Sequence, residues 1–148
     1  MSRFNISHQT IINAPVNDVW KELIAIDSWN WNRWTKLKAE TPAEGVKGKL
    51  LASYEGNEQW KEFDFQFGRV SEAEYLLSWL GSVGPKGCLF SGHHAMQLEI
   101  INESQTRLIH REEFGGLLPN LGLGLPYKTL NRNYLLMNES LKNYVEEK

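Results

Sequence analysis

The chain carries one cysteine, Cys88, in 148 residues. No internal disulfide can form, which fits a reducing compartment and leads us to expect a cytoplasmic protein. No apolar run approaches the roughly 18 residues of a membrane-spanning helix, so no membrane span is expected. Charge of one sign is also missing. Sixteen Lys and Arg stand against 18 Asp and Glu, for a net charge of −2, and the basic residues never cluster. Nucleic-acid binding rests on clustered cations, so a nucleic-acid partner is not expected. Met1-Ser2-Arg3-Phe4-Asn5 leads straight into a strand pattern, with no apolar signal-peptide core. The chain has no internal repeat, low-complexity tract, linker, P-loop, nucleophile elbow or zinc motif. One domain over residues 1–148 is expected, and that length buries about two thirds of its unfolded surface without a staple. What the chain has in quantity is aromatic side chains: six Trp, five Tyr and six Phe. Most of them must be buried or must line something.

Phe4, Ile6, His8, Thr10 and Ile12 alternate with other residues, which predicts a strand. Asn13-Ala14-Pro15 stops it with helix-start chemistry, and Asp18 suits the first turn of a helix. Val16, Val19, Trp20, Leu23 and Ile24 then share one helical face, so a helix is expected from Pro15 to about Ile26. Asp27 or Ser28 can cap a second short helix through Trp29, Trp31 and Trp34. Those three rings cannot all face one way, so at least one should be partly exposed.

From Lys36 to Ile109 the pattern is strands punctuated by glycine. Gly45 to Gly48 leads into Leu50–Tyr54, and Gly56-Asn57 reads as a hairpin turn. Phe63, Phe65 and Phe67 alternate with polar residues, Gly68 suggests a bulge, and Tyr75, Leu77 and Trp79 share a face. Gly81 to Gly92 reads as a long mobile loop. A strand from Leu89 to Ile101, a turn at Asn102-Glu103-Ser104 and a strand from Thr106 to Phe114 follow. Gly115 to Leu125 is a leucine- and glycine-rich loop that should dock on the body or cover an opening. Its Gly-Leu-Gly is no dinucleotide fingerprint, because no βαβ unit surrounds it.

The last stretch is the clearest. Tyr127, Leu130, Tyr134, Met137, Leu141 and Tyr144 are spaced three, four, three, four, three, which places them on one face of a helix from Pro126 to Lys148. Pro126 suits the first helical position. At about 1.5 Å per residue this helix spans roughly 30 Å and needs a broad apolar partner. The tyrosines and methionine suit either plain core or one wall of a cavity. Consecutive strands joined by short turns, with helices set apart from them, make the class α+β with an antiparallel sheet.

Three stretches carry a family resemblance. They are Ile12-Asn13-Ala14-Pro15-Val16-Asn17-Asp18-Val19-Trp20 with Trp34; Gly92-His93-His94-Ala95-Met96-Gln97-Leu98-Glu99; and Thr106-Arg107-Leu108-Ile109-His110-Arg111-Glu112-Glu113-Phe114-Gly115-Gly116. Together they resemble the START-like, or SRPBCC, superfamily, which includes polyketide cyclase/dehydratase-like and Bet v 1-like proteins. The resemblance implies a helix-grip fold. A curved antiparallel sheet of about seven strands would wrap the C-terminal helix, with two short helices after strand 1 and an apolar cavity between sheet and helix. Trp34-Thr35-Lys36 departs from the family's frequent Trp-Asn-Pro. The last helix lacks the tryptophan often found in the stress-chaperone-activating branch.

The resemblance also places His94, Met96, Leu98 and Ile100, and Leu108, His110, Glu112 and Phe114, on the inner face, with His93 outside. His94, His110 and Glu112 then become ionisable groups in an apolar cavity, which must pair with each other, with Tyr127 or Tyr134, or with water. With a turn of three or five residues, Glu112 would lie across from Met96 and near His94. A His–Glu pair in an apolar pocket is a candidate acid/base unit, and also an ordinary way to satisfy buried polar groups. The three residues can be drawn as two histidines and a carboxylate, but their spacing matches no known ligand pattern, and neither metal nor cofactor is expected. Cys88, near Lys86 in a glycine loop, reads as a small apolar filler.

The first expectation is binding of a small hydrophobic ligand, for transport or sensing. Phe63, Phe65, Trp79, Met96, Leu98, Phe114, Tyr127, Leu130, Tyr134 and Met137 would line the cavity, and His94, His110 and Glu112 would fix the ligand's polar end. The two glycine-rich loops would gate entry. An enzyme of the cyclase/dehydratase kind would move protons with His94 or Glu112. A protein-interaction module would show a large exposed apolar patch and little cavity.

Overall fold

The computed structural model describes residues 5–83, 90–116 and 126–148. In chain order they form β1 (Asn5–Ile12), α1 (Val16–Ile24), a 3-10 turn (Ile26–Ser28), β2 (Thr35–Lys38), β3 (Lys47–Ala52), β4 (Lys61–Ser71), β5 (Leu76–Val83), β6 (Phe90–Asn102), β7 (Gln105–Gly115) and α2 (Tyr127–Glu146). The seven strands make one antiparallel sheet in the order β1-β7-β6-β5-β4-β3-β2, curled into a half barrel. This is the helix-grip arrangement. No helix among the described residues is long and apolar enough to cross a membrane.

Helix α2 lies in the hollow of the sheet and buries Tyr134, Met137, Leu141 and Val145. Its residue before the first turn is Pro126 rather than Tyr127, so the proline caps the helix instead of occupying its first position. At the far end, Glu146 Oε2 accepts from the Asn13 backbone N–H at 2.8 Å, where β1 turns into α1. Along the way the Tyr127 hydroxyl donates to the Asn5 carbonyl (2.6 Å), and Lys142 Nζ donates to the Ile11 carbonyl (2.9 Å). Helix α1 starts after Pro15 without a side-chain cap and buries Val19, Trp20 and Leu23 against the same core.

The hairpin β6–β7 sets the register that matters most. Its turn is Glu103-Ser104, with Asn102 Oδ1 accepting from the Ser104 N–H at 2.9 Å. A bulge between Ile100 and Asn102 then makes His94 pair with Glu112 and Met96 with His110. Glu112 therefore stands directly across from His94, not across from Met96 as a longer turn would give. Ile100, expected on the inner face, is exposed.

Other expectations are corrected. The second short helix is only the 3-10 turn, because Trp29 and Trp31 are pulled into the core, with Trp29 Nε1 donating to the Leu23 carbonyl at 2.9 Å. Trp34 is the half-buried ring of the three. The connection after β3 spans residues 53–60, wider than a two-residue turn, with Gly56 and Glu58 both at positive φ. Gly81 and Gly92 are not in a loop: they pair with each other in the β5–β6 ladder. What remains of that loop, including Cys88, lies outside the described residues, as does most of the Gly115–Leu125 loop. The bulge expected at Gly68 coincides with a register shift between Phe67 and Val70.

One contrast along α2 tests this packing. Leu141 is fully buried and Leu135 is exposed. Leu141→Ala should cost about 2–5 kcal/mol in urea unfolding, whereas Leu135→Ala should stay within about 0.5 kcal/mol.

Candidate functional site

Direct pairing across β5, β6 and β7 lines up Trp79, His94 and Glu112 on the inner face. The Trp79 and His94 rings stack with centroids 4.1 Å apart and planes at 17°. His94 Nδ1 lies 3.3 Å from Glu112 Oε1, and the Tyr134 hydroxyl donates to that same oxygen. On its other side His94 Nε2 meets His110 Nε2 at 2.5 Å. His110 Nδ1 meets Asn138 Oδ1 at 2.8 Å, and Asn138 Nδ2 donates to Thr10 Oγ1 at 3.1 Å. Tyr134 covers both imidazoles, its ring 4.7 Å from His94 and 4.8 Å from His110. One chain of polar contacts thus runs Tyr134–Glu112–His94–His110–Asn138–Thr10 through an otherwise apolar core, hydrogen-bonded at every link except the 3.3 Å ion-pair contact between Glu112 and His94. The ring nitrogens face one another and their neighbours rather than a common centre, so the arrangement is not a metal-ligand set.

Burial pushes the His110 imidazole well below its usual range, and the neighbouring His94 acts in the same direction. His110 is a neutral ring. Burial first, and the charge of Glu112 second, push the Tyr134 phenol well above its usual range. Tyr54 is raised by the same two causes in the same order. Both phenols therefore stay protonated and available as donors.

Beside this chain is a pocket of about 210 Å³. Trp34, Phe63, Trp79, Phe114, Leu50 and Leu130 supply its apolar walls, and His94, Glu112 and Tyr134 its polar end. Tyr54, Thr35, Ser53 and Asn133 also border it. Asn133 Nδ2 donates to the Tyr54 carbonyl at 3.0 Å, which ties the segment after β3 to the helix. Glu112 Oε2 has no hydrogen-bond partner among the described residues. It occupies the place a side chain at residue 92 would need: a Cβ on Gly92 would come within 2.2 Å of it.

Of the expected lining residues, Phe63, Trp79, His94, Glu112, Phe114, Leu130 and Tyr134 border the pocket. The others do not. Phe65 packs edge-on against Phe67, and Met96 and Leu98 belong to the core that Trp20, Leu23 and Leu141 fill at the α1 end of the half barrel. His110 lies behind His94, fully buried. Tyr127 is drawn to the Asn5 carbonyl, and Met137 packs on Ile6, Phe114 and Tyr134. Asn138, a polar residue outside the expected apolar spacing of the helix, is fully buried. The pattern did contain it: Tyr134, Asn138, Leu141 and Val145 follow the i, i+4, i+7, i+11 stripe that faces the core. Trp34 and the Leu50–Tyr54 contribution had no comparable signal, since partial exposure is set by how the sheet curls.

No protein-family model matches the chain, and no curated protein does. Solved structures do. The Zhui aromatase/cyclase from Streptomyces sp. R1128 superposes with a TM-score of 0.72 at 12% identity, covering 97% of this chain and 93% of that one. A START superfamily protein from Mycobacterium smegmatis gives 0.73 at 14% identity, covering 97% of each chain. Norcoclaurine synthase from Thalictrum flavum gives 0.66 at 13% identity, covering 97% and 94%. The chain has the START-like, or SRPBCC, fold. At these identities the likeness fixes the helix-grip architecture, and the site must be argued from its own residues.

Two outcomes follow from this geometry. His110 is held neutral in the folded state, so below its ordinary value near 6.5 the unfolded chain binds a proton that the folded chain refuses. Stability should therefore fall as pH drops below about 6.5, by up to about 1.4 kcal/mol per pH unit for one such proton, and the urea midpoint against pH reads it. The paired glycines provide a second check. A Cβ at Gly81 meets nothing within 4 Å, whereas one at Gly92 displaces the Glu112 carboxyl from its contacts with Tyr134 and His94. Gly92→Ala should cost about 1–3 kcal/mol and Gly81→Ala within about 0.5 kcal/mol.

Proposed function

We propose that this chain binds a small, largely apolar, ring-containing molecule between the sheet and α2, with the ligand's polar group held at Glu112 and Tyr134. The observation that carries this reading is the pocket itself: about 210 Å³, walled largely by aromatic rings, with the His94, Glu112 and Tyr134 cluster on its border. That size exceeds the ~150 Å³ that holds benzene and falls below the ~300 Å³ at the small end of drug-sized sites. A compound of one or two rings is the matching class. Glu112 Oε2, which has no hydrogen-bond partner among the described residues, offers an acceptor to a ligand O–H or N–H, and stacking on Trp79 or Trp34 would orient the ring. A pocket of this kind speaks against the interaction-module reading, which required a filled interior.

A second reading, an enzyme of the aromatase/cyclase kind, is favoured by one specific observation. His94 and Glu112 touch each other at the pocket's polar end, where a proton can pass between them and a bound ligand. Two of the similar structures are named as enzymes, an aromatase/cyclase and a norcoclaurine synthase.

Native mass spectrometry of the purified chain, followed by titration with one- and two-ring phenols and ketones, tests the binding reading. Expected is a removable mass or a saturable one-to-one shift. A bare mass that no compound alters overturns it. Glu112→Gln separates the two readings: a binder should keep its best ligand within about tenfold, or about 1.4 kcal/mol, whereas an enzyme should keep the ligand and lose turnover.

A further inference from the structure

The buried chain from Thr10 to Tyr134 leaves few places for its protons. His110 is neutral, so its ring carries one N–H. Its Nδ1 faces α2, where Asn138 Oδ1 lies 2.8 Å away. Asn138 has its Nδ2 turned to Thr10 Oγ1 at 3.1 Å, so Oδ1 is the end presented to His110, and an amide oxygen only accepts. The backbone carbonyl of Tyr134, on the same helix, is a second acceptor for the His110 ring. The proton of His110 therefore sits on Nδ1, and its Nε2 is bare. His94 Nε2, 2.5 Å away, must supply the hydrogen for that contact. This leaves His94 Nδ1 facing Glu112 Oε1 at 3.3 Å. Two bare acceptors would repel at that distance, which favours one proton shared by the pair, either on the imidazole or on the carboxyl.

We propose that Asn138, which does not border the pocket, is a positioning residue: through His110 it places a proton on Nε2 of His94, so that His94 and Glu112 hold one further proton between them. The alternative arrangement reverses every donor in the chain. Asn138 Nδ2 would donate to His110 Nδ1, His110 Nε2–H to His94 Nε2, and His94 Nδ1–H to a Glu112 carboxylate. That arrangement holds one proton fewer and leaves the pocket's polar end with a net negative charge. In the arrangement proposed, the polar end is neutral overall, and its shared proton is available to an oxygen in the pocket and can be taken back from it. Thr10 ends the chain by accepting from the Asn138 amide nitrogen. This inference concerns the buried chain of side chains itself and stands or falls independently of what the pocket binds.

The test is the tautomeric state of the histidines in the full chain, read from two-bond proton–nitrogen correlation spectra of protein carrying nitrogen-15 histidine. Substituting His8, His93, His94 and His110 one at a time assigns the four rings. Expected is His110 protonated at Nδ1 and bare at Nε2, with His94 protonated at Nε2. A His110 ring protonated at Nε2 overturns the proposal, whatever ligand the protein binds. Asn138→Leu removes the side-chain acceptor and leaves only the Tyr134 carbonyl, which its own helical N–H already engages. The variant should populate the second His110 tautomer. Thr10→Val, nearly isosteric, should do the same to a smaller extent and serves if Asn138→Leu does not fold. A His110 tautomer unchanged in the folded variants would show that Asn138 does not set it.

Discussion

Helix α2 cannot bury its apolar stripe without also burying Asn133, Tyr134 and Asn138, and the polar groups on the hollow face of the sheet are arranged around that constraint. An amide or phenol taken out of water needs a partner, and leaving it unmatched costs about 1–3 kcal/mol. Asn138 is satisfied by His110 on β7 and Thr10 on β1, Tyr134 by Glu112 on β7, and Asn133 in part by the Tyr54 carbonyl after β3. The helix is therefore anchored to three parts of the sheet by directional bonds, while its leucine and methionine side chains supply the non-directional share of the stability. Apolar contact alone would let such a helix slide or rotate, and these bonds fix its position.

The half barrel is filled unevenly for the same reason. At one end α1 contributes Val19, Trp20 and Leu23, which close over Met96, Leu98 and Leu141. At the other end no element among the described residues plays that part. The rings of Trp34, Phe63, Trp79 and Phe114 border open space beside the polar groups. The His94–Glu112 contact sits where the two regimes meet, with dense packing behind it and the pocket in front.

Most of the architecture was legible in the sequence. Alternation marked β1, β4, β6 and β7, the three-four spacing marked α2, and the asparagine-proline corner marked the start of α1. The inner-face placement of His94, His110 and Glu112 was also within reach. What was not legible depended on single-residue register. A two-residue turn with a bulge, rather than a longer turn, decides that Glu112 faces His94. The glycines at 81 and 92 read as loop because glycine marks turns far more often than it makes room for a partner strand's carboxyl. Asn138 lies outside the three-four apolar spacing of α2, although its position four residues after Tyr134 and three before Leu141 puts it in the buried stripe. Phe65, Met96 and Leu98 do not border the pocket because a face shared along a strand is not the same as a cavity: side chains on one face can meet α1 at one end of the sheet and open space at the other.

The hydroxyl of Tyr127 and the amine of Lys142 both end on carbonyls of β1, the first strand of the sheet. An edge strand ordinarily presents such groups to any extended chain that comes near, which is the usual route to strand-to-strand aggregation. Here the helix that fills the barrel also reaches over its rim and occupies two of those acceptors. The opposite edge is β2, only four residues long and bearing Lys36 and Lys38. One edge is occupied from within and the other is short and charged, so a fold built on an open sheet is left with little exposed template for a neighbouring copy.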